Sequence, residues 1–373
     1  MAEGRGPPTW AEVDLRALAH NVAVLSQLVS PALLCAVVKA DAYGHGAAAV
    51  ARAVVAEGVP WLAVAFPEEG IELRRAGIDT PILVLVEPPP EAMSEVLAAG
   101  LIPTLYSAQG VASAMAAAAW IGRRDYPVHL KVDTGMHRVG AQGAEAVALG
   151  LAVKASGWLR LEGLWTHLAV ADEPWDPLTK VQLGRFEAAR TLFEDNGLVP
   201  ELLHAANSAG AMLHPLSRYD LVRCGLALYG YSPGLDSAID LMPVLSLRSR
   251  VALVRELEAG EAVSYSQRRR LEGPSCVATV PIGYADGVPR RLFDAGMEVL
   301  IGGRRRPLAG TVTMDQIMVD CGPEADVCVG DEVVLLGAQG GERVTAEDWA
   351  AALGTISWEV LCAIGPRVPR ITT

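Results

Sequence analysis

Between Leu33 and about Tyr229 the chain alternates short apolar runs with longer amphipathic stretches. The apolar runs have the length and the Val, Leu and Ile content of buried strands, and the stretches between them repeat apolar residues at helical spacing. We predict helices at Pro67–Ala76, Glu91–Ala99, Ala108–Trp120 and Leu178–Asn196. The predicted strands are Leu33–Lys39, Trp61–Phe66, Pro81–Val86, Ile102–Leu105, Val128–Val132, Arg160–Thr166, Glu201–Ala205 and Asp220–Arg223.

The order of these elements predicts an α/β fold. Strands that alternate with helices form parallel sheets. Eight such repeats over about 200 residues are typical of a (β/α)8 TIM-type barrel. A doubly wound open sheet is the alternative, but the G-x-G-x-x-G turn that it would use for a dinucleotide follows none of the predicted strands.

Beyond about Leu241 helical patterns become scarce, and Gly and Pro separate short runs rich in Val, Leu and Thr. This pattern predicts a second, mostly β domain. One late helix is predicted at Thr345–Leu353, because Thr345 is followed three residues later by Asp348, a combination that caps helices well. The strand candidates are Leu245–Val254, Cys276–Pro281, Glu298–Ile301, Ile317–Asp320 and Glu332–Leu336.

The change of pattern sets the expected domain boundary. We expect a barrel over residues 12–240 and a C-terminal β domain over residues 241–373. The alternating polarity of Trp10–Leu15 favours packing of residues 1–11 with the β domain. A chain of 373 residues is longer than most single domains, and its hydrophobic content of 51% is enough for two cores.

Charge and cysteine usage exclude several classes of function. The net charge of −12 disfavours nucleic acid and anionic membranes as partners, because both select for clustered Lys and Arg. Two short clusters, Arg268–Arg270 and Arg304–Arg306, are interpreted as solvated turns. The six cysteines form no Cys-x-x-Cys pair, which indicates reduced thiols and no metal site. Met1–Pro8 lacks the apolar core of a signal peptide and no apolar run is long enough to span a membrane, so a cytoplasmic protein is expected.

The most informative segment is the apolar run that ends in Lys39 and leads into the Gly-rich turn Ala42–Gly46. Lysine is rarely buried unless it is paired or used in chemistry. Desolvation at the mouth of an apolar strand favours the neutral amine, which is both a base and a nucleophile. Such an amine suits a Schiff base with a carbonyl cofactor, above all pyridoxal 5'-phosphate (PLP). A strand that simply ends in a solvated lysine is the alternative.

Polar residues gather at or just after the C-terminal ends of the predicted barrel strands. In a barrel this rim carries the chemistry, and phosphate binds in the loops after the last two strands. The convergence therefore predicts an active site with a bound phosphate. The residues concerned are Lys39, Lys131, Asp133, Arg138, His167, His204, Ser208, Arg223 and Gly225.

Taken singly, these residues also have ordinary structural explanations. Ser208 suits a phosphate at the start of a helix, but it equally suits a plain N-cap. His167 alone is typical of a satisfied core histidine. Arg223 is harder to explain, since a buried guanidinium needs an acceptor, for which a pyridine nitrogen is one candidate. In the second domain Tyr265, flanked by small residues, suits proton transfer or an interface.

Ordered motifs extend over both predicted domains: Thr9–Leu15, Val38–Gly46, Lys131–Arg138, Thr166-His167, Asn207–Ala209, Arg223–Gly230, Ser264-Tyr265, Gly283–Gly287, Met314–Gln316 and Arg367–Arg370. Together they strongly resemble the alanine racemases, PLP-dependent isomerases of the fold type III class. The resemblance covers nearly the whole chain. The family fold, a PLP-binding barrel followed by a mostly β domain, agrees with the architecture predicted above.

The resemblance implies interconversion of L-alanine and D-alanine by two bases on opposite faces of the substrate Cα. Lys39 would hold PLP as a Schiff base and act as one base. Tyr265 would be the opposite base and would reach the active site of the other subunit, so that a homodimer would carry two composite sites. The product D-alanine would supply peptidoglycan for the cell wall.

The resemblance also implies the remaining contacts. Arg223 would face the pyridine nitrogen with His204 behind it, and His167 would lie near the ring. Arg138 and the Met314 backbone would hold the substrate carboxylate. Lys131 matches a position that is carbamylated in some members, and Tyr284 matches a gate position. The phosphate would be bound by Tyr43, Ser208, Gly225 and Leu226, together with Trp358.

Three positions depart from the family pattern. Trp358 stands where the family has a tyrosine that contacts phosphate, Ser266 replaces a glycine, and Pro366 replaces a polar residue or tyrosine. An indole N–H can donate one hydrogen bond but cannot accept one. A racemase for another small amino acid such as serine therefore remains an alternative. A barrel PLP decarboxylase would lack the paired tyrosine base, and non-enzymatic PLP carriers lack the second domain.

Overall fold

The computed structural model describes residues 8–233, 239–323 and 326–373. By their internal contacts they form two compact units. The barrel unit lies within Ala17–Ala42 and Ala47–Met242, and the β unit lies within Met1–Arg16, Tyr43–Gly46 and Pro243–Thr373. The domain ranges expected from the sequence, 12–240 and 241–373, stay a prediction.

The β unit begins with strand β1 (Thr9–Val13), and the next eight strands along the chain form the barrel unit. All neighbouring strands of this sheet are parallel, in the order β8, β7, β6, β5, β4, β3, β2, β9. The predicted α/β fold class with an eight-stranded parallel barrel is thus confirmed, and the barrel is nearly closed. The strands are β2 (Leu33–Val37), β3 (Trp61–Val64), β4 (Ile82–Val84), β5 (Ile102–Leu105), β6 (Tyr126–Lys131), β7 (Leu159–Trp165), β8 (Leu202–His204) and β9 (Leu221–Cys224).

Helices separate most of these strands along the chain. The four helices predicted from the sequence are confirmed, with small differences at their ends. Five more were not predicted, and two of these, α3 and α7, are so rich in Ala and Val that they lack a clear polar face. The helices are α1 (Leu15–Val29), α2 (Lys39–Gly44), α3 (Ala47–Ala56), α4 (Pro67–Arg75), α5 (Met93–Ala98), α6 (Ala108–Trp120), α7 (Gly143–Ser156), α8 (Leu178–Asp195) and α9 (Ser208–Leu213).

Two strand ends differ from the prediction in a way that matters for the site. Strand β2 stops at Val37, so Lys39 does not end the strand but opens α2. Strand β7 stops at Trp165, so His167 lies in the following loop. In both cases the predicted strand is longer than the observed one, because burial continues beyond the last paired residue. Val38 and Thr166 are each 1% exposed.

The β unit is built from two sheets. The larger follows the order β14, β13, β16, β10, β1, β18, with β17 paired to β16, and the smaller follows β11, β12, β15. The predicted strand Leu245–Val254 is in fact two strands, β10 and β11, that belong to different sheets. The elements are β10 (Leu245–Arg250), β11 (Leu253–Leu257), β12 (Ser275–Val280), β13 (Glu298–Ile301), β14 (Arg304–Pro307), β15 (Ile317–Asp320), β16 (Glu332–Gln339), β17 (Glu342–Val344), α10 (Ala346–Leu353), α11 (Ser357–Cys362) and β18 (Arg370–Thr372).

The interpretation of Arg304–Arg306 as a solvated turn was wrong. These residues form most of β14, which pairs with β13 across a two-residue hairpin loop. The loop residues Gly302 and Gly303 have φ values of 63° and 70°, the left-handed values that such tight hairpins require. The prediction rested on the three arginines, whereas the two preceding glycines determine that the segment is a strand of a hairpin.

The cap predicted for the late helix is present. Thr345 Oγ1 accepts the Asp348 N–H at 3.0 Å, and the Asp348 carboxylate accepts the Thr345 N–H at 2.8 Å. We expect Thr345→Ala to lower the free energy of unfolding by about 1 kcal/mol, because the Asp348 N–H at the start of α10 loses its side-chain acceptor. Urea unfolding measures the change, with Thr373→Ala at the exposed C-terminus as the control. Equal midpoints for the two variants would contradict the cap.

Candidate active site

Lys39 opens a left-handed turn, which is rare for residues other than glycine. The φ angles of Ala40, Asp41, Ala42 and Tyr43 are 52°, 52°, 55° and 54°. Each such residue costs roughly 1–2 kcal/mol, because its Cβ approaches a carbonyl oxygen. A run of this kind persists only where surrounding contacts hold it. The backbone next to Lys39 is therefore under strain and must be fixed from outside.

Glu69, in the first turn of α4, supplies one such contact. Its Oε1 accepts the N–H of Ala40 at 2.6 Å, and its Oε2 accepts the N–H groups of Ala65 at 2.7 Å and Phe66 at 3.0 Å. One carboxylate thereby ties the residue after Lys39 to the end of β3. Glu69 was not predicted from the sequence, because an acidic residue in the first turn of a helix is an ordinary feature.

Arg223 on β9 is buried, with 3% of its surface exposed, and its polar contacts are all uncharged groups. Its Nη1 lies 2.8 Å from His204 Nδ1. Its Nη2 donates to the carbonyls of Thr166 at 2.8 Å and Ala205 at 3.0 Å, and lies 3.3 Å from His167 Nδ1. Within the part of the chain that the structure describes, no carboxylate forms an ion pair with this guanidinium.

The surroundings of Arg223 settle its charge and that of its partners. Burial lowers the pKa of Arg223 to about 10, so it stays positive at neutral pH. Burial, followed by the charge of Arg223, holds the pKa of both His204 and His167 well below the ordinary value. Both imidazoles are therefore neutral. The indole ring of Trp165 stacks on His204 with ring centres 5.4 Å apart and lies 4.6 Å from the Arg223 Cζ.

Ser208 and Gly225 come together at the ends of β8 and β9. The buried Ser208 Oγ accepts the N–H groups of Gly225 at 3.1 Å and Ala227 at 3.2 Å. The alternative of a plain N-cap is wrong for Ser208, because Asn207 is the N-cap of α9 and accepts the Gly210 N–H at 2.9 Å. The next residue after Gly225, Leu226, is buried and opens a short 3₁₀ turn, Leu226–Tyr229.

Lys131 ends β6 and is almost completely buried, with 4% of its surface exposed. Its Nζ lies 4.3 Å from the centre of the Trp165 ring. Burial, followed by the charges of Arg223 and Arg138, lowers the pKa of Lys131 to about 7. About half of the amine is then neutral at pH 7, which makes this lysine chemically unusual.

Arg138 lies exposed in the loop after β6. Asp133 shapes this loop by accepting the backbone N–H groups of Gly135 at 3.0 Å and His137 at 3.1 Å. Its second oxygen lies 3.0 Å from His137 Nδ1 and 3.1 Å from Gln142 Nε2. Asp133 is thus engaged by its own loop and leaves the Arg138 guanidinium to solvent or a ligand.

In the β unit Tyr265 projects from a strained 3₁₀ turn, Tyr265–Gln267, with 68% of its surface exposed. The residues around it, Ser264, Ser266 and Gln267, have φ values of 68°, 63° and 44°. Ser264 Oγ donates to the Thr311 carbonyl at 2.6 Å, which anchors the start of the turn. Ser266 therefore occupies a left-handed position that glycine, the residue of the family pattern, would adopt without strain.

Tyr284 and Met314 lie on two segments of the β unit that are hydrogen bonded to each other. The Tyr284 N–H donates to the Thr313 carbonyl at 3.0 Å, and the Ala285 N–H donates to the Met314 carbonyl at 3.1 Å. Gly283 permits this approach, because a Cβ at this position would lie 2.3 Å from the Met314 oxygen. Both side chains are exposed, at 43% for Tyr284 and 52% for Met314.

The other two residues expected at the phosphate, Tyr43 and Trp358, also belong to the β unit. Both are half-buried. Gly44, the residue after Tyr43, packs so closely on α11 that a Cβ would lie 2.5 Å from the Leu361 carbonyl oxygen. The Gly44 carbonyl accepts a 2.9 Å hydrogen bond from Arg370 Nε. Tyr43 and the helix that carries Trp358 are thus fixed against each other.

Family comparisons agree with this arrangement over nearly the whole chain. The family model for the N-terminal domain of alanine racemase matches residues 13–233, and the model for its C-terminal domain matches residues 244–372. The chain belongs to the alanine racemase family. The alanine racemase of Symbiobacterium thermophilum is 47% identical over 365 residues, which cover 97% of this chain and 96% of that relative.

Solved alanine racemase structures share the fold throughout. That of the enzyme from the D-cycloserine producer Streptomyces lavendulae superposes with a TM-score of 0.94 at 40% identity, covering 99% of this chain and 98% of that one. That of the Bacillus anthracis enzyme with bound L-Ala-P gives a TM-score of 0.92 at 36% identity, covering 99% and 96%. The function of the chain is alanine racemisation, and the enzyme is an isomerase. The alternatives of a serine racemase and a PLP carrier are not favoured.

The contacts of Glu69 give a testable consequence for the turn that follows Lys39. We expect Glu69→Ala to lower the free energy of unfolding by about 2 kcal/mol, because three N–H groups lose a charged acceptor. We expect it also to lower racemase activity, since the strained backbone beside Lys39 loses an anchor. Thermal unfolding and chiral product analysis measure the two effects, with the exposed neighbour Glu68→Ala as the control. Equal behaviour of both variants would contradict the role of Glu69.

Proposed function

We propose that this alanine racemase works with PLP held at Lys39, and that Lys39 and Tyr265 are its two bases. The observation that carries the proposal is the buried, positively charged Arg223, whose hydrogen-bond acceptors within the described ranges are all uncharged. A neutral pyridine nitrogen is the kind of acceptor that such a donor can bind without a proton transfer. Cys35 and Cys224, also near Arg223, stay as neutral thiols, because burial raises the pKa of each to about 12.

The donor set of the barrel rim fits PLP. Arg223 would face the ring nitrogen, and His167 would lie beside the ring. Ser208 with the backbone of Gly225 and Leu226 would receive the phosphate, together with Tyr43 and Trp358. When bound, PLP supplies an electron sink that acidifies the Cα–H of an amino acid.

The residues of the chain then divide the proton transfers. Lys39 Nζ would take or return the Cα proton on one face, and Tyr265 Oη would do so on the other. Arg223 would keep the ring nitrogen unprotonated, since a guanidinium donates hydrogen bonds but does not give up its proton near neutral pH. An unprotonated ring restrains delocalisation, and this would limit side reactions such as transamination.

A homodimer would complete each site with the partner's Tyr265. Supporting this, 68% of the surface of Tyr265 is exposed in the single chain. Large exposed aromatic side chains are typical of interfaces. Tyr284 would lie at the entrance to the site. The D-alanine produced would supply peptidoglycan.

Substrate recognition would rest on Arg138 and the backbone of Met314, which would bind the carboxylate. A carbamylated Lys131 would add a negative charge that holds Arg138. The neutral amine of Lys131 would attack CO2, form an N–C bond and release one proton, leaving a carbamate. The lowered pKa of Lys131 supports this step, because only the neutral amine can react.

No helix in the described ranges is both long and apolar enough to cross a membrane. The cytoplasmic location expected from the sequence stays a prediction.

The two-base proposal is tested with Tyr265→Phe. We expect this variant to retain PLP and its visible absorbance, and to lose interconversion by at least about 100-fold, because one proton-transfer group is missing. In D2O it should still exchange the Cα proton of one enantiomer, through Lys39. Lys39→Ala is the matched control and should lose the absorbance as well as both activities. Racemisation by Tyr265→Phe at the wild-type rate would contradict the proposal.

Carbamylation of Lys131 predicts a specific pH dependence. In ¹³C-bicarbonate the wild type should show a carbamate signal that grows as the pH rises through about 7, because deprotonation frees the amine. Lys131→Met should lack that signal, and Lys180→Met, at an exposed position, should retain it. A signal of equal size in both variants would place the carbamate elsewhere.

A further inference from the structure

A line of buried side chains leads from Arg223 through the barrel to Glu162 on β7. Arg223 Nη1 lies 2.8 Å from His204 Nδ1, and His204 Nε2 lies 2.9 Å from His129 Nδ1. His129 Nε2 then lies 3.2 Å from Glu162 Oε2. Both imidazoles have no exposed surface. The first two members were expected from the sequence, whereas His129 and Glu162 were not.

The chemistry of its two ends gives this line a single direction. A guanidinium can only donate, so His204 Nδ1 must accept from Arg223 and the His204 proton must sit on Nε2. That proton is donated to His129 Nδ1, which leaves the His129 proton on Nε2. An ionised carboxylate can only accept, and Glu162 receives this last N–H. The donor Arg223 at one end and the acceptor Glu162 at the other therefore fix the tautomers of both histidines.

The sequence makes local provision for this line. In the pairing of β6 with β7, Val128 is opposite Leu161 but His129 is opposite Gly163, so Glu162 is an extra residue in a β-bulge. Bulges re-aim side chains, and this one brings the Glu162 carboxylate to His129. Gly163 makes room for the ring, because a Cβ there would lie 2.4 Å from His129 Nδ1.

The charges at the far end are consistent with the same direction. Burial raises the pKa of Glu162, but the hydrogen bonds from His129 and Arg160, together with the charge of Arg160, hold it below its ordinary value. Burial lowers the pKa of His129 and outweighs the effect of Glu162. Arg160, on the same strand, lies 3.0 Å from Glu162 Oε1 and also bonds Glu201, so a partly exposed guanidinium compensates the carboxylate.

We propose that Glu162 is a positioning residue for Arg223, because it sets the tautomers of His129 and His204 that leave the His204 Nδ1 lone pair facing the guanidinium. Its importance for catalysis rests on the proposed role of Arg223 at the PLP ring nitrogen. Without an acceptor at position 162, the His129 N–H is buried and unsatisfied. If the His129 proton moved to Nδ1 instead, it would face the Nε2–H of His204, and two donors would meet. Moving the His204 proton to Nδ1 would relieve that clash but would set this N–H against the Arg223 guanidinium.

The tautomers are measured first, in the protein without PLP. Long-range ¹H–¹⁵N NMR of the seven ¹⁵N-labelled histidines, assigned with His129→Asn, reports which ring nitrogen carries each proton. We expect Nε2–H for both His129 and His204 in the wild type near pH 8. Glu162→Gln keeps an oxygen acceptor and should retain both tautomers. A proton on Nδ1 of His129 or His204 in the wild type would overturn the proposal, whether or not any variant folds.

Removing the acceptor gives the second part of the test. Glu162→Leu should shift the ¹⁵N signals of both rings, and after PLP loading it should lower kcat/KM by about tenfold, the usual size of such indirect effects. Glu162→Gln should lose less activity, and Glu201→Leu, which contacts Arg160 but neither imidazole, should change neither readout. Shifted signals with unchanged kcat/KM would overturn the link to catalysis. The two proposals can fail independently, because the NMR measurement needs no cofactor. If the proposed function is wrong, the wild type will show no racemase activity whatever the tautomers are.

Discussion

The rest of the site depends on one constraint: a positive charge is buried in the barrel, and no carboxylate among the described residues forms an ion pair with it. Arg223 is held by two imidazole nitrogens, two carbonyls and the face of Trp165. Desolvation of a charge is costly, and it is tolerated where hydrogen bonds replace the lost contacts with water. A carboxylate partner would have made the site cheaper to fold. It would also have placed a second proton acceptor at the point where we propose that a neutral ring nitrogen binds.

The second constraint is strain in the backbone beside the two proposed bases. Lys39 precedes four consecutive non-glycine residues with positive φ. Tyr265 is preceded by one such residue, Ser264, and followed by two, Ser266 and Gln267. Strain of this kind lowers stability, but it fixes a side chain more narrowly than a relaxed loop does. A contact at each turn offsets the strain. Glu69 accepts the Ala40 N–H in the turn after Lys39, and Ser264 donates to the Thr311 carbonyl at the start of the turn that carries Tyr265.

The sequence predicts the fold well, because strand and helix periodicity extend over long segments and the polar residues that interrupt apolar strands stand out singly. Arg223 and His204 were identifiable in this way. Glu162 and Glu69 were not, since a carboxylate on a strand or in the first turn of a helix is common, and their roles follow from a bulge and a left-handed turn. Neither feature has a periodic signature. The Gly302-Gly303 hairpin was missed for the opposite reason, because neighbouring charge drew more weight than turn chemistry.

The most direct test of the account is to incubate the PLP-loaded protein with L-alanine in D2O and to separate the enantiomers. The account predicts D-alanine that carries deuterium at Cα, because each proton transfer passes through a side chain that exchanges with solvent. L-serine in a parallel sample should react more slowly. Absence of D-alanine with PLP bound, or D-serine formed in preference, would contradict the account.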